Sequence, residues 1–394
     1  MFASRTNWRL TPNRFALALE EHRRRGKPLI DLTNSNPTTC GFSYPEERLF
    51  AALNDRRALS YEPESQGLRS AREAIADYYR GRPGFFGDGR SVDPARIVIT
   101  SGTSEAYSFI FRLLCEAGDE VLVPAPSYPL FEYLADLADV RPASYPLVYE
   151  DGWSIDFGRL SATLSTRSKA VMLVHPNNPT GSFIKKQEAQ RLAEICESRD
   201  LAIIADEVFL DYADTAEPPS SFAFEYPALT FTLSGISKIS LLPQMKLAWI
   251  VASGPAGVVA EAMQRLEVIG DTYLSPSTPG QLALPEMLAM RGNLQTQMRQ
   301  RLCANLGFLD QLLEQRGPVD RLKREGGWYA VLRVPVTGSD EDIAVNLLEE
   351  CGVLVHPGHF FDFPGDGFVI VSLIGPEAEL QEGVRRLQGF FRNR

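Results

Sequence analysis

Three short stretches carry the side chains that could do chemistry: His175-Pro176-Asn177-Asn178-Pro179-Thr180-Gly181, Ile204-Ala205-Asp206-Glu207-Val208-Phe209 and Ser234-Gly235-Ile236-Ser237-Lys238. A lysine amine forms a Schiff base with an aldehyde, provided its pKa is lowered by desolvation or nearby cations. Asp206 follows the apolar run Ile203-Ile204-Ala205, which places its carboxylate at the end of a buried strand. A buried acid needs a partner, and a protonated ring nitrogen would serve. Asn178 stands in a turn-forming sequence and could donate to a phenolic oxygen. A lysine, an aspartate and an asparagine in these settings are the groups that a pyridine aldehyde, pyridoxal phosphate (PLP), requires of a protein.

Each stretch alone is weakly specific, since Asn-Pro and Gly-containing turns are common. Together and in this order they resemble the class I/II aminotransferases of PLP fold type I, and the resemblance runs along most of the chain. It implies Lys238 as Schiff base and as the shuttle that moves the proton between Cα and C4′. Asp206 would then be the pyridinium partner, and Asn178 the donor to the ring oxygen. Ser101-Gly102-Thr103-Ser104 lies between a strand and a helix, where free backbone N–H groups suit a phosphate. The family places its phosphate loop there, so Gly102, Thr103 and Ser104 are candidates, as helix caps or as phosphate ligands. Tyr128 matches the aromatic that stacks on the ring. Tyr61 matches a tyrosine that reaches the phosphate of a neighbouring subunit, which implies a homodimer with shared active sites.

The chain also departs from the family pattern. Lys246 stands where an arginine usually grips the phosphate, keeping the charge without the bidentate fork. Gly235 replaces a usual hydroxyl residue, and Phe209 replaces a tyrosine that donates to the ring oxygen. Most consequentially, Ile370 occupies the place of the arginine that pairs with the substrate α-carboxylate. Either another cation serves, with Arg333 and Lys246 as nameable candidates, or the substrate has no carboxylate at that place. His359 is a substrate contact or a structural histidine.

The elements that must position these residues follow from hydrophobic pattern. Short apolar strands at 96–100, 120–123, 170–174 and 202–205 alternate with amphipathic helices at 105–117, 131–138 and 186–199. That alternation predicts a mostly parallel sheet covered on both faces, with ligands at the carboxyl ends of its strands. After about residue 284 the pattern changes. A long helix from near Pro285 to about Gln315 leads to strands at 328–333, 353–355 and 368–373 and helices at 341–351 and 377–392. The fold expected is α/β: a large PLP-binding domain over 49–285 and a smaller α+β domain from 286–394. Residues 1–48 join the small domain by resemblance.

Composition bounds the function classes. The chain has 394 residues, 44% of them hydrophobic and 23% charged, which is ordinary globular composition. A net charge of −10 argues against a nucleic-acid surface, and no apolar run is long enough for a membrane span. Cys40, Cys115, Cys196, Cys303 and Cys351 form no CxxC pair, and the four histidines show no ligand spacing, so no metal is expected. Arg5, Arg9 and Arg14 precede any acid, faintly like a transit peptide. The favoured reading is an amphipathic helix with Phe15, Leu17 and Leu19 near its apolar face, and a cytoplasmic protein. The function expected is a PLP-dependent aminotransferase acting on a small amine or amino acid and a keto acid. A PLP-dependent lyase or decarboxylase on the same scaffold is the alternative; a DNA-binding regulator and a silent relative are less favoured.

Overall fold

The computed structural model describes residues 1–8, 10–87, 91–274, 276–314 and 317–392. Arg9 and Gln315, which end or punctuate two expected elements, lie outside the described residues. The first strand is the short β1 (Ile30–Asp31). Eight strands follow: β2 (Ile97–Thr100), β3 (Glu120–Ala125), β4 (Arg141–Tyr149), β5 (Trp153–Ile155), β6 (Ser168–Val174), β7 (Ala202–Asp206), β8 (Thr230–Gly235) and β9 (Ala248–Ser253). These eight form one sheet in the order β2-β9-β8-β7-β6-β3-β4-β5. The run β8-β7-β6-β3-β4 is parallel, while β9 is antiparallel to both of its neighbours.

Strands β6, β7, β8 and β9 are buried along almost their whole length, which is why their sequences lack an inside–outside alternation. Strand β8 carries Thr230, Thr232 and Ser234 in this buried setting. Two of them find partners: the Thr230 hydroxyl donates to Ala228 O and the Ser234 hydroxyl to Glu207 O.

The remaining strands are β10 (Asp320–Arg321), β11 (Tyr329–Arg333), β12 (Val353–Leu354), β13 (His356–Pro357) and β14 (Phe368–Ser372). Four of them build a second sheet, β10-β11-β14-β13, while β12 pairs with β1. The helix Asp340–Cys351 packs on the helix Arg14–Arg24, and the helix Arg291–Leu313 packs on Glu377–Arg392. The N-terminal segment is divided in its contacts. Its β1 joins β12, but Arg5 pairs with Asp139, and Trp8 Nε1 donates to Asp136 Oδ2 at 2.7 Å.

Two expectations are corrected. Pro285 does not open a helix: it lies inside Thr278–Ala289, and a second helix, Arg291–Leu313, follows after Met290. On the helix Arg14–Arg24 the buried face is Phe15 with His22, while Leu17 is 52% exposed. At 100° per residue, Leu17 lies about 200° round from Phe15. No helix among the described residues is long and apolar enough to cross a membrane.

Candidate active site

Strands β2, β3, β6, β7 and β8 point the same way, so their carboxyl ends share one edge of the sheet. The expected residues emerge there: Gly102–Ser104 after β2, Tyr128 after β3, Asn178 after β6, Asp206 on the last residue of β7, and Lys238 just past β8.

Lys238 sits on the four-residue helix Ile236–Ile239. Three polar contacts fix this turn. Tyr212 Oη donates to Lys238 O at 2.7 Å, Gln295 Nε2 to Ile239 O at 2.9 Å, and Tyr44 Oη to Leu241 O at 2.8 Å. The Lys238 ammonium lies 4.9 Å from the Trp328 ring centroid and 5.7 Å from that of Phe209. Burial brings its pKa down to about 8, against a smaller opposing pull from Asp206. About a tenth of this amine is therefore uncharged and nucleophilic at pH 7, far more than of an ordinary lysine.

Asp206 is 7% exposed. Its Oδ2 accepts from Tyr107 Oη at 2.9 Å and its Oδ1 from Val208 N at 3.1 Å. Burial lifts its pKa to about 6, although these two donors and Lys238 act downwards. The neighbouring Glu207 is held protonated at neutral pH, its pKa pushed by burial to about 8. It accepts from Ser221 Oγ and Phe222 N, each at 2.6 Å.

The paired asparagines divide the work of their turn. Asn177 is fully engaged: its Nδ2 donates to Pro126 O and Thr180 Oγ1, and its Oδ1 accepts from Ser127 Oγ. Asn178 is buried, and its Oδ1 has no partner. That oxygen is an acceptor, and leaving it unpaired costs about 1–3 kcal/mol; donation to a ring oxygen would have to come from Asn178 Nδ2. His175, in the same motif, is structural. Its Nδ1 accepts from Ile184 N, its Nε2 faces Ser220 O, and burial drops its pKa to about 3.

The helix Thr103–Leu114 begins at Gly102 with no side-chain cap, leaving its first N–H groups available. Lys246 reaches over this turn: a Cβ built on Gly102 would lie 3.5 Å from its Nζ. Tyr128 stands edge-on to Phe131 and has its pKa raised to about 12 by burial, then by Asp206 and Tyr329. Tyr61 is 72% exposed.

The departures have physical causes. A Cβ on Gly235 would fall 2.9 Å from both Leu247 O and Ala248 Cβ, so β9 leaves no room for a hydroxyl residue. Phe209 is buried edge-on against Trp328. Ile370 is fully buried in the apolar cluster that contains Val331 and Phe361. Arg333 is no substitute for the missing arginine, since it is an exposed partner of Asp320 at 3.1 Å. His359 belongs to the neighbourhood of Asp340 and Asp362, whose carboxyls it influences. Tyr107, Trp328 and the Tyr329–Ser35 hydrogen bond were not singled out by sequence. Tyr107 left one signal: it lies four residues after Thr103, on the same face of that helix.

These residues fit a phosphorylated pyridine aldehyde. The structure supplies a buried asparagine whose amide nitrogen could donate, an uncapped helix start with a lysine above it, and a buried carboxylate in need of a cation. Among the described residues, no group of three or more His, Cys, Asp or Glu side chains is arranged to hold a metal.

The architecture is that of PLP fold type I, shared with an alanine aminotransferase from Pyrococcus furiosus at a TM-score of 0.88, with 23% identity and all of both chains covered. A Thermus thermophilus aspartate aminotransferase variant superposes at a TM-score of 0.82, with 24% identity and 99% of both chains covered. The sequence matches aminotransferase class I and II over residues 27–387, and the chain belongs to that family. It is a PLP-dependent aminotransferase. Among similar proteins, a glutamate-pyruvate aminotransferase of Haemophilus influenzae is 29% identical over 383 residues, covering 95% of this chain and 93% of the relative. An alanine aminotransferase of Mycobacterium tuberculosis is 25% identical over 375 residues, covering 93% and 86%.

Proposed function

We propose that Lys238 is the covalent anchor and proton carrier of this aminotransferase, exchanging nitrogen between a small amine or amino acid and a carbonyl compound, in the family a keto acid. The observation that carries this reading is the desolvated Lys238 amine facing the buried Asp206 carboxylate. When bound, PLP supplies an electron sink for the carbon that loses its proton. Asp206 would hold the ring nitrogen protonated, with Tyr107 and Val208 N fixing its carboxylate. Tyr128 would cover one ring face, and Asn178 would reach the ring oxygen. Gly102, Thr103, Ser104 and Lys246 would hold the phosphate. Once freed by substrate, the Lys238 amine stands where it can take and return a proton.

The exposed Tyr61 supports a homodimer in which this ring reaches the partner's phosphate site. We further propose a division at 49–285 against 1–48 and 286–394, supported by the two sheets and the β1–β12 pairing. A cytoplasmic setting is proposed because none of the five cysteines is in a disulfide.

Absorption spectra of the purified protein with PLP, beside Lys238→Ala, test the assignment. A visible absorption band that the variant lacks, and that an amino donor discharges, is the result expected. No Lys238-dependent band would overturn it. Release of ammonia with a keto acid, or of carbon dioxide, would instead favour the lyase or decarboxylase reading, to which the apolar Ile370 gives some support because carboxylate grip helps choose the bond broken.

A further inference from the structure

A second cleft adjoins the Lys238 turn. It encloses about 740 Å³ between the end of the helix Arg69–Tyr79, the stretch 210–219 that follows β7, and the start of the helix Arg291–Leu313. That is room for a small molecule. None of the residues assigned above to PLP lines it. Its walls carry Arg80, Arg82, Arg291 and Arg299, a cationic concentration in a chain whose net charge is −10. Arg291, Gln295 and Arg299 follow one another at intervals of four on the same helix, and at about 100° per residue they share a face.

The charges of this cleft are sorted by their partners. Arg80 pairs with the exposed Asp77, Arg82 with the buried Asp211, and Asp214 with Arg324 at 3.3 Å. Asp211 is engaged on both oxygens, since Tyr78 Oη also donates to its Oδ1 at 3.2 Å and Gln295 Nε2 to its Oδ2 at 2.7 Å. Arg291 and Arg299 are tied instead to main-chain carbonyls. Arg291 Nη1 donates to Leu288 O at 2.6 Å, and Arg299 Nη2 to Asp211 O at 3.0 Å. Among the described residues neither of these two forms an ion pair with a carboxylate. A guanidinium has five N–H donors, so each keeps donors for a ligand. Tyr78 gathers the cations further: its ring centroid lies 4.5 Å from the Arg82 guanidinium carbon and 5.5 Å from that of Arg291. Glu217 is the lining acid that makes no ion pair among the described residues.

Guanidiniums gathered in this way repel one another, and an anion between them removes that repulsion. Arginine matches phosphate with two parallel hydrogen bonds. At 1.5 Å rise per residue, Arg291 and Arg299 have Cα atoms about 12 Å apart, a gap that two arginine side chains can close on one phosphate. Gln295, between them, also ties the cleft to the enzyme's reactive lysine. The amide that donates to Asp211 donates as well to Ile239 O at 2.9 Å, on the short helix that bears Lys238. We propose that this cleft binds a small phosphorylated molecule, its phosphate held by Arg291 and Arg299 and its organic part against Pro218 and Pro219, and that Gln295 couples its occupancy to Lys238. The coupling, though not the binding, rests on the Lys238 reading above.

The test is calorimetric titration of the holoenzyme, in which the cofactor's own phosphate fills the Gly102 turn, with phenyl phosphate. One site per chain with a Kd of about 1 mM or tighter is the expected result. Replacing both arginines, Arg291→Gln with Arg299→Gln, should weaken binding ~10-fold or more, and Glu217→Gln should tighten it ~2-fold. Absence of saturable binding, or binding that the double variant keeps at wild-type strength, overturns the proposal. So does a heat that sodium chloride reproduces at matched ionic strength, which would be screening alone. Inorganic phosphate should bind several-fold more weakly than phenyl phosphate; equal affinity would overturn the assignment of an organic part.

Coupling has its own readout. Hydroxylamine, a small nucleophile that needs no substrate site, should remove the Lys238-dependent visible band at a rate that saturating phenyl phosphate changes ~2-fold or more. Gln295→Met, confirmed by titration to bind phenyl phosphate still, should abolish that change. A wild-type rate that does not move, or a change that persists in this variant, overturns the coupling. If the holoenzyme shows no such band, the PLP reading itself fails, while the titration still decides whether the cleft binds phosphate.

Discussion

Replacing Asp206 by asparagine should stabilise the apoprotein at neutral pH while impairing the enzyme. The Asp206 carboxyl titrates at about 6 in the fold and at the ordinary 3.8 in an open chain, because burial penalises its charge. An acid whose folded pKa is raised favours the fold fully below pH 3.8. That contribution is lost as pH climbs through 6. Above that window the cost is the shift converted at about 1.4 kcal/mol per pH unit, or about 3 kcal/mol. The amide introduced by Asp206→Asn would keep the Val208 N–H bond and could donate to Tyr107 Oη, so most of that cost should be recovered. The assay is thermal melting of PLP-free protein from pH 4 to 9. Wild type should lose stability between pH 4 and 7 relative to the variant, and the two should converge near pH 4. At pH 7.5 the variant should melt several degrees higher. Measurements at pH 9 remove the Lys238 charge from the comparison, since that amine is neutral above about 8. In the holoprotein the order reverses, because the ring cation that offsets the Asp206 charge has no counterpart in the variant. An apoprotein variant that melts below wild type throughout pH 6–9 would refute this account of Asp206.

Tyr107→Phe should weaken PLP binding by roughly 10-fold, the worth of one hydrogen bond to a charged acceptor, while Ser108→Ala on the same helix, away from Asp206, should leave it unchanged. Equilibrium titration of the apoenzyme with PLP checks both. Asn178→Ala should leave the apoprotein as stable as wild type or slightly more so, because the amide oxygen has no partner to lose, yet reduce PLP affinity; chemical denaturation with and without PLP separates the two effects. Capture of PLP by the apoprotein should accelerate as pH rises towards about 8 and level off beyond it, following the neutral fraction of Lys238 in stopped-flow absorbance. Gly235→Ser should destabilise the fold by about 1–3 kcal/mol despite restoring the family's hydroxyl, since its Cβ would press on Leu247 O; urea denaturation measures this.

Much of the candidate site could be proposed from sequence because the chemistry it would do demands residue types in a fixed chain order. Asp206 could be placed from three apolar residues before it, and Lys238 from its small neighbours. What escaped the sequence is what the fold brings together from afar. Tyr107 meets Asp206 across 99 positions, and Trp328 reaches the Lys238 ammonium from the other sheet. Neither has a local pattern to distinguish it from an ordinary core aromatic. The helix start misread at Pro285 has a similar origin: a proline suits a first turn, but the packing of Thr278–Ala289 against Glu46–Leu53 and Arg69–Tyr79 sustains the helix through it. Strand β4 hid behind Pro142 and Pro146, residues that ordinarily argue against a strand inside a sheet.

The reversed direction of β9 has a consequence for how the chain tolerates change. Lys238 and Lys246 ride on one excursion that leaves the sheet at Gly235 and re-enters at Ala248, and those two residues are paired across β8–β9. The excursion is thus a closed span whose two feet are bolted together, with a reactive amine near one foot and a cation over Gly102 near the other. A residue added or removed between them would turn one lysine away from its post however freely the loop relaxed. Most connecting loops are where a protein can vary in length; this one should behave as a ruler.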